Sequence, residues 1–256
     1  GLKVLTLLPG GSHTWATGQD EILVLPLSGS ATVTCEDTTF ELTGRGSVFS
    51  RVSDFSYAPR DATVTVTSHD GGAFAIPSAR CTRRLEPRYG PAEDVPVELR
   101  GAGQASRQVN NFCSPAAFEC DKLIAVEVLT PGGNWSSYPP HKHDETREDE
   151  AELEEIYYFE TEGLAYQRVY GTPARPVDVL AEVSTGDVIL VPHGWHGPSI
   201  AAPGYALYYL NVMAGPEPTR SWRFCDDPAH AWIRGTWAGQ AIDPRLPLTS
   251  TREKRT

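Results

Sequence analysis

The sequence predicts an all-β protein, and three observations carry this prediction. The 256 residues include 23 glycines and 21 prolines, and the apolar segments are short and bounded by turn-forming residues. Many of these segments follow one another at intervals of about ten residues. No convincing amphipathic helix interrupts them. Short strands at this spacing are typical of a sandwich or barrel rather than of alternating strand and helix units.

The predicted strands contain many β-branched and aromatic residues, which suit a pleated and half-buried surface. They span residues 21–27, 31–35, 62–67, 123–129, 187–191 and 206–212. Each ends at or near glycine, proline or a small polar residue, where a strand is expected to stop.

The segment 82–110 differs from the sequence on either side of it, because Pro87, Pro91 and Pro96 stand there among charged residues and glycines. We expect it to connect two domains. The predicted organisation is an N-terminal domain at 1–85, a linker or crossover at 86–110, a C-terminal domain at 111–225 and a tail at 226–256.

The two halves of the chain resemble each other. Pro-Gly-Gly follows an apolar run at 9–11 and again at 131–133. In each half, a glutamate at the start of a strand also precedes a glycine with seven residues between them. These pairs are Glu21 with Gly29 and Glu155 with Gly163. We therefore predict an internal duplication, in which the second half carries extra residues before its glutamate.

The negative net charge argues against nucleic acids and anionic membranes as binding partners. There are 33 acidic and 22 basic residues, and the formal net charge is −11. A nucleic-acid-binding protein needs a basic face to neutralise phosphates, and docking on anionic lipid needs one too. No run of about 18 apolar residues is present. We expect neither a nucleic-acid partner nor a membrane partner.

The five cysteines indicate a reducing compartment. Their number is odd and they form no Cys-x-x-Cys pair, so buried thiols in the cytoplasm are expected. Because the chain begins at Gly1 without a methionine, we also expect a native segment to precede it.

A cluster of metal-ligand residues lies in the second half. His141 and His143 are two positions apart, so in a strand they would share a face while Lys142 points away. Glu155 and His196 follow. Three imidazoles and one carboxylate suit a divalent ion and leave coordination positions for a substrate. Zinc is the expected ion, and manganese, iron and nickel are compatible with the same donors.

These residues resemble the two motifs of the cupin superfamily. The first motif has His-x-His, a glutamate and a glycine, and the second has a glycine, a Pro-x-Gly turn and a histidine. The matching positions here are His141, His143, Glu155 and Gly163, followed by Gly186, Pro192, Gly194 and His196.

The first motif departs from the cupin pattern in one respect. Eleven residues separate His143 from Glu155, where cupins commonly have only a few, and this leaves Glu154 as an alternative ligand. We prefer Glu155 because the strand sequence Ile-Tyr-Tyr-Phe begins directly after it and because of its spacing to Gly163.

Longer motifs resemble one family, the 5-deoxy-glucuronate isomerases of myo-inositol catabolism. They are Asn-Trp-Ser-Ser-Tyr-Pro-Pro-His-Lys-His-Asp at 134–144, Gln-Arg-Val-Tyr at 167–170, Pro-Gly-Tyr at 203–205, Tyr-Tyr-Leu-Asn-Val-Met-Ala-Gly at 208–215 and Asp-Pro-Arg-Leu-Pro-Leu at 243–248. The resemblance implies a bicupin, with two β-barrel or jelly-roll domains in tandem, related to 4-deoxy-5-ketouronate isomerase. It also implies conversion of 5-deoxy-D-glucuronate to 5-dehydro-2-deoxy-D-gluconate in the cytoplasm.

Such an aldose–ketose isomerisation moves a proton between C1 and C2. A divalent ion on the four ligands would act as a Lewis acid and stabilise an enediolate, while a base and an acid move the proton. Tyr157 lies two residues beyond Glu155 and so on the ligand face, and Tyr209 shares a strand face with Asn211. We expect Tyr157 and Tyr209 to be catalytic and Asn211 to contact substrate.

The substrate of this reaction is an anion, and a negatively charged chain needs local positive charge to bind it. Arg168 is the preferred candidate, because its planar guanidinium matches a carboxylate. Lys142 is a weaker candidate, since it alternates away from the ligands. The N-terminal half has neither motif, and we expect its domain to be structural.

Other interpretations remain open. The chain could be a non-catalytic cupin that binds a sugar acid, an isomerase of 4-deoxy-5-ketouronate, or an enzyme that uses iron and dioxygen. A homo-oligomer is also compatible with exposed strand edges and with the tryptophans of the C-terminal region.

Most of the negative charge lies in one place. Residues 144–162 contain ten acidic residues and a single base, Arg147. This segment includes the expanded interval between His143 and Glu155. We expect a solvated acidic loop or a short polar helix there, with a mobile lid as the alternative.

Overall fold

Strands make up nearly all of the regular structure in the described chain, residues 1–252 of a computed structural model. Within these residues there are twenty strands and three short 3₁₀ helices, so the all-β prediction is confirmed. Among the same residues, no helix is long and apolar enough to cross a membrane.

The chain divides into two compact units. The first comprises Gly1–Pro96, Asn111–Ala125 and the described residues from Thr249 onward, and the second comprises Val97–Asn110 and Val126–Leu248. The segment predicted as a linker, 86–110, therefore contributes residues to both units. The predicted domain boundaries stay a prediction.

The first eight strands form one sheet in the first unit. They are β1 (Leu2–Leu7), β2 (Ser12–Ala16), β3 (Asp20–Cys35), β4 (Thr38–Arg45), β5 (Phe55–Ala58), β6 (Thr63–Thr67), β7 (Gly72–Arg80) and β8 (Arg88–Gly90). The sheet runs in the order β1-β7-β3-β5-β8, with β4 and β6 also paired to β3 and β2 paired to β6. A 3₁₀ helix follows at Ala92–Asp94.

Strand β3 joins two segments that the sequence predicts as separate strands. Its register shifts between Pro26 and Ser28 and again between Gly29 and Ala31. Gly29 has a φ of +83°, which a glycine adopts without strain. The glycine therefore bends one long strand at an irregularity in the ladder instead of ending it in a turn.

A buried carboxylate organises part of the first unit. Glu21 is fully buried and accepts a hydrogen bond of 2.9 Å from the Tyr57 hydroxyl. It also accepts backbone N–H bonds of 2.8, 2.6 and 2.8 Å from Asp121, Lys122 and Leu123. Both carboxylate oxygens thus hold the segment 121–123 in place.

The remaining strands start at residue 97. They are β9 (Val97–Arg100), β10 (Arg107–Asn110), β11 (Ile124–Thr130), β12 (Trp135–Ser136), β13 (His141–Lys142), β14 (Glu154–Thr161), β15 (Ala165–Tyr170), β16 (Asp178–Val183), β17 (Val188–Val191), β18 (Trp195–Ala201), β19 (Leu207–Ala214) and β20 (Cys225–Asp226). Two more 3₁₀ helices span Gly103–Ala105 and Ala231–Gly239.

These strands form two sheets. One runs in the order β17-β14-β19-β11-β10-β9, and the other in the order β16-β15-β18-β13-β20 with β12 paired to β18. The first of these sheets carries Glu155 and the two predicted catalytic tyrosines, and the second carries His141 and His196.

Candidate metal centre

Three predicted ligands meet in the second unit. The ligand atoms of His143, Glu155 and His196 all lie within 4.8 Å of one another, and all three side chains are buried. The Oε2 atom of Glu155 lies 3.1 Å from Nε2 of His143 and 3.0 Å from Nε2 of His196. Among residues 1–252, this is the one group of its kind.

Backbone carbonyl oxygens orient all three histidines. The Nδ1 atom of His141 lies 3.2 Å from the oxygen of Pro139, that of His143 lies 3.1 Å from Leu153, and that of His196 lies 3.2 Å from Gly194. A carbonyl oxygen only accepts, so each Nδ1 carries a proton, and Nε2 is the ring nitrogen that is left to face Glu155 or a metal ion.

The donor set fits a divalent cation. The Nε2 atom of His196 is buried and has no partner in hydrogen-bond geometry, although Glu155 is close by. Two imidazole lone pairs and a carboxylate therefore converge, and such acceptors repel one another unless a cation or a proton lies between them. Two nitrogens and one oxygen suit the borderline divalent metals.

His141 lies beside this group as the predicted fourth ligand. It pairs in register with His196 between β13 and β18, and the two ring centroids are 4.5 Å apart. Desolvation, together with the nearby His196 and His143, places the pKa of His141 well below its ordinary value. The ring is therefore neutral near pH 7, as a metal ligand must be.

The alternation of strand β14 distinguishes the two neighbouring glutamates. Glu154 is exposed, whereas Glu155 is buried and faces the histidines. Burial alone would raise the pKa of Glu155, but His196 and His143 lower it to about 2. Glu155 is thus ionised at neutral pH, and Glu154 lies on the other face of the strand.

The acidic insertion is exposed at residues 145–149, as expected for a solvated loop, but a buried carboxylate anchors it. Glu150, in its middle, is fully buried. Its carboxylate lies 2.8 Å from Nζ of Lys142 and 2.7 Å from the backbone nitrogen of Asp144, and it also pairs with Arg147. The N–H of Leu153 donates to the oxygen of His143 over 2.8 Å. These contacts fold the insertion back on itself and bring His143 close to Glu155.

Lys142 belongs to this ionic cluster. Its Nζ atom is 2.6 Å from Asp144 and 2.8 Å from Glu150, and it lies 5.6 Å from the ring centre of Trp195. Lys142 is not among the residues that line the cavity of the metal-ligand group. The structure therefore does not place Lys142 in the cavity where a substrate-binding residue is expected.

The predicted catalytic tyrosines do line that cavity. The hydroxyl of Ser137 lies 3.1 Å from the Tyr157 hydroxyl and 3.0 Å from the Tyr209 hydroxyl. Burial, the Glu155 charge and Tyr209 raise the pKa of Tyr157 well above its ordinary value, and burial raises that of Tyr209. Both phenols are protonated at neutral pH and can donate hydrogen bonds.

Asn211 lies in the same cavity. It stands directly opposite Tyr157 in the pairing of β14 with β19. Its Nδ2 atom is buried and has no partner in hydrogen-bond geometry among the described residues, although it lies near enough to Tyr157 to act against the rise in that phenol's pKa. The amide is therefore available to donate to an oxygen of a bound molecule.

Arg168 lies elsewhere. In strand β15, Gln167 and Val169 are buried while Arg168 is partly exposed on the opposite face. Its Nη1 atom is 2.5 Å from Asp178 and 2.8 Å from the oxygen of Val179. The alternation that buries Gln167 turns Arg168 outward, so the structure does not place it in the cavity.

Seven lining residues are absent from the sequence-based set. Three are valines, and the other four are Ser137, Trp222 and two arginines, Arg100 and Arg107. Both arginines lie in the segment predicted as a linker. In the sequence they are visible only as two basic residues of a polar segment. The prolines in that segment are typical of a linker, so nothing in the sequence indicated that these arginines belong to a site. Ser137 has a φ of +45°, a strained conformation for a non-glycine residue that is characteristic of functional sites.

A family model matches residues 1–233 and carries the description KduI/IolB family. This match covers nearly the whole chain. The chain belongs to the KduI/IolB family.

Two named relatives illustrate how similar this KduI/IolB chain is to other members. A 5-deoxy-glucuronate isomerase of Bacillus velezensis is 41% identical over 239 residues, which cover 91% of this chain and 87% of the relative. The 5-deoxy-glucuronate isomerase of Geobacillus kaustophilus is also 41% identical over 239 residues, covering 91% and 85%.

Solved structures confirm the predicted cupin fold of this KduI/IolB chain. The crystal structure of an IolB-like protein from Salmonella typhimurium matches with a TM-score of 0.85 and 36% identity, over 91% of this chain and 89% of that one. The oxalate decarboxylase of Lactobacillus farciminis, in its formate complex, matches with a TM-score of 0.63 and 13% identity over 87% and 78%. The second likeness concerns the fold alone.

Proposed function

We propose that this KduI/IolB chain is an aldose–ketose isomerase that converts 5-deoxy-D-glucuronate to 5-dehydro-2-deoxy-D-gluconate in myo-inositol catabolism. The observation that carries the proposal is its 41% identity, over 91% of its length, to relatives named 5-deoxy-glucuronate isomerase. The C1 aldehyde becomes a hydroxymethyl group, the C2 hydroxyl becomes a ketone, and the carboxylate is unchanged. The reaction needs no oxidant or reductant.

We assign His143, Glu155 and His196 as ligands of a divalent metal, with His141 as the fourth. The bound ion would supply Lewis acidity, which makes the hydrogen at C2 more acidic by polarising the neighbouring carbonyl. Zinc is the expected ion because it combines readily with imidazole and carboxylate, and manganese, iron and nickel accept the same donors. Elemental analysis of the purified protein identifies the metal.

The tyrosines of this chain would handle the protons on the substrate oxygens. Because their pKa values are raised, Tyr157 and Tyr209 hold their protons at neutral pH and donate them toward an oxygen on which negative charge develops. The Ser137 hydroxyl lies within hydrogen-bond distance of both phenols and orients them. The unpartnered amide of Asn211 would hold a substrate hydroxyl in place.

The decisive test is turnover by the metal-loaded protein. 5-deoxy-glucuronate and 4-deoxy-5-ketouronate are supplied separately, and the products are identified by NMR. We expect the first to be isomerised with the higher kcat/KM. Preferential turnover of the second would make the chain an isomerase of the related ketouronate, and binding without turnover of either would make it a sugar-acid-binding protein.

Two variants test the assignment of the tyrosines within this reaction. Tyr157→Phe and Tyr209→Phe each remove one hydroxyl while preserving the buried ring. We expect kcat to fall by about 100-fold or more in each, the usual contribution of a positioned acid, with the metal content unchanged. An unchanged kcat in both variants would remove the tyrosines from the mechanism.

The cytoplasm is the proposed location of this reaction, and a homo-oligomer remains a prediction. Size-exclusion chromatography with light scattering measures the oligomeric state directly.

A further inference from the structure

We propose that Arg107, supported by Arg100, binds the carboxylate of the sugar-acid substrate. The proposal rests on the proposed function for the identity of that anion. It assigns a specificity-determining role to a side chain from strand β10, at a distance in sequence from the metal-ligand motifs.

Arg107 is a buried cation without an acidic partner. The residue is 4% exposed, and its hydrogen bonds run from Nη1 to the oxygens of Ala105 and Tyr138, over 3.0 and 3.3 Å. No carboxylate of the described residues forms an ion pair with it. Burial of a charge is costly unless the charge is paired. The Nε and Nη2 groups therefore remain available to an anion from outside the chain.

The guanidinium keeps its charge despite this burial. Desolvation lowers the pKa of Arg107 to about 10, which still leaves it protonated at neutral pH. Its planar fork offers two parallel N–H donors, an arrangement that matches the two oxygens of a carboxylate.

Arg100 reinforces the positive charge. It stands directly opposite Arg107 in the pairing of β9 with β10, and like charges in that position destabilise a sheet. Glu98 pairs with Arg100 over 2.7 Å, which neutralises one of the two cations. A bound anion would balance the other.

Aromatic rings hold both guanidinium groups. Arg100 lies 5.4 Å from the ring centre of Trp222, and Arg107 lies 5.8 Å from that of Trp237. Contacts of this kind restrict the orientation of a guanidinium group without neutralising its charge. The pair is therefore positioned in advance, which lowers the entropic cost of binding an anion.

The two arginines line the same cavity as His141, Glu155 and Tyr209. A sugar acid carries its aldehyde and its carboxylate at opposite ends of one six-carbon chain. The metal-ligand group and the unpaired guanidinium line one cavity, as recognition of both ends of such a molecule requires. Arg168, in contrast, is paired with Asp178 on another face.

Calorimetric binding to the metal-loaded protein tests the assignment. The ligands are 5-deoxy-glucuronate and 5-deoxy-glucose, which has a hydroxymethyl group in place of the carboxylate. The proteins are the unaltered chain, Arg107→Met, Arg107→Lys and Arg45→Met. Arg45 is also a buried arginine bonded to carbonyl oxygens, but it belongs to the first unit and does not line this cavity.

We expect Arg107→Met to weaken binding of the acid by about 30- to 100-fold, the effect of losing a charge-assisted hydrogen-bonded pair. Its affinity for the neutral sugar should stay within about threefold, because that sugar has no carboxylate to lose. Arg107→Lys should be intermediate, since it keeps the charge and loses the fork. Arg45→Met should bind both ligands like the unaltered chain.

Other outcomes separate the two proposals. Equal weakening for the acid and the neutral sugar in Arg107→Met would show a structural role and overturn the assignment, as would unchanged binding of the acid. If the unaltered chain binds the acid through Arg107 but does not isomerise it, the proposed function fails and the arginine assignment stands. If the unaltered chain does not prefer the acid to the neutral sugar, the arginine assignment is overturned whatever the turnover.

Discussion

The ammonium group of Lys142 lies 2.8 Å from the carboxylate of Glu150, a residue with no exposed surface. Glu150 belongs to the insertion that joins His143 to Glu155, and Lys142 directly precedes His143. Long insertions between two metal ligands would ordinarily let the ligands drift apart, because a flexible loop samples many end-to-end distances. A buried ionic contact removes that freedom and keeps the ends of this insertion together.

Replacement of Lys142 by methionine should therefore destabilise the protein. It leaves the buried Glu150 and Asp144 without their ammonium partner, and breaking a buried pair costs about 3–5 kcal/mol in the free energy of unfolding. Urea unfolding measures this loss. The control is Arg83→Met, which removes an ion pair to Glu119 whose side chains are more than half exposed, and it should cost less than about 1 kcal/mol. Equal losses would contradict the buried-cluster interpretation.

The same cluster should make stability depend on pH. Burial raises the pKa values of Asp144 and Glu150, but the hydrogen bonds from Lys142 and from backbone N–H groups outweigh it and lower both. The unfolded chain then binds more protons than the folded one on acidification. The two carboxylates contribute their full share to the free energy of unfolding at a pH above their ordinary pKa values of 3.8 and 4.5. This share is lost as the pH falls through their lower pKa values in the folded state.

Urea unfolding between pH 3 and pH 6 checks this dependence. The unaltered chain should lose stability steadily toward the acidic end, and Glu150→Gln should show a shallower slope because it removes one of the two titrating groups. Parallel curves for the two proteins would mean that Glu150 does not contribute.

The amount of metal bound should depend on the buried group of His143, Glu155 and His196. His143→Ala and His196→Ala should each abolish stoichiometric metal while leaving the chain folded, and His141→Ala should do so if it is the fourth ligand. The control is His13→Ala, because His13 is exposed in the first unit. Elemental analysis after dialysis is the measurement, and full metal occupancy in His143→Ala and His196→Ala would overturn the assignment.

Chelation should also lower the melting temperature. A ligand present at 100 times its Kd stabilises the folded state by about 2.7 kcal/mol, so removing the metal should shift Tm by several degrees. The shift should vanish in His196→Ala. A chelator that leaves the Tm of the unaltered chain unchanged would indicate that no metal is bound to the folded protein.

A glycine beside the metal centre should tolerate no side chain. Gly197 has a φ of +94°, and a Cβ atom there would lie 1.8 Å from the oxygen of Ser137. Gly186 has nearly the same φ, +93°, with open space around it. Gly186→Ala should cost only the backbone strain, about 1–2 kcal/mol.

Gly197→Ala should cost more than Gly186→Ala, because the added methyl group would force Gly197 and Ser137 apart, and Gly197 directly follows His196. We expect a larger fall in Tm and a loss of bound metal in Gly197→Ala alone. Matching values of Tm and metal content for the two variants would mean that the close approach to Ser137 is unimportant.

Motif spacing and strand alternation were sufficient to predict the site residues that lie in the cupin motifs or on the strands next to them. The spacing of His141, His143 and His196 follows the cupin motifs, and the alternation of β14 and β19 places Tyr157, Tyr209 and Asn211 on cavity-facing positions. The structure brings these residues together. Which side chains complete a ligand shell remains a prediction until the metal is measured.

Local pattern was insufficient where burial depends on distant strands. Alternation in β15 separates Gln167 from Arg168, but it does not say which of two polar residues turns inward, and Gln167 is the buried one. Arg107 is buried because β10 is the neighbour of β9 and β11 in a sheet. The sequence of the proline-containing segment 82–110 has no periodicity from which the pairing of β10 with β9 and β11 could be predicted.

Glu21 occupies the position in the first half that the predicted duplication matches to Glu155. Its two oxygens already accept four hydrogen bonds, from Tyr57 and from three consecutive backbone N–H groups. Grafting histidines around it would consequently not create a second metal site. Other acceptors would first have to be supplied for the amides of residues 121–123, because in the first unit this carboxylate fixes the path of the chain.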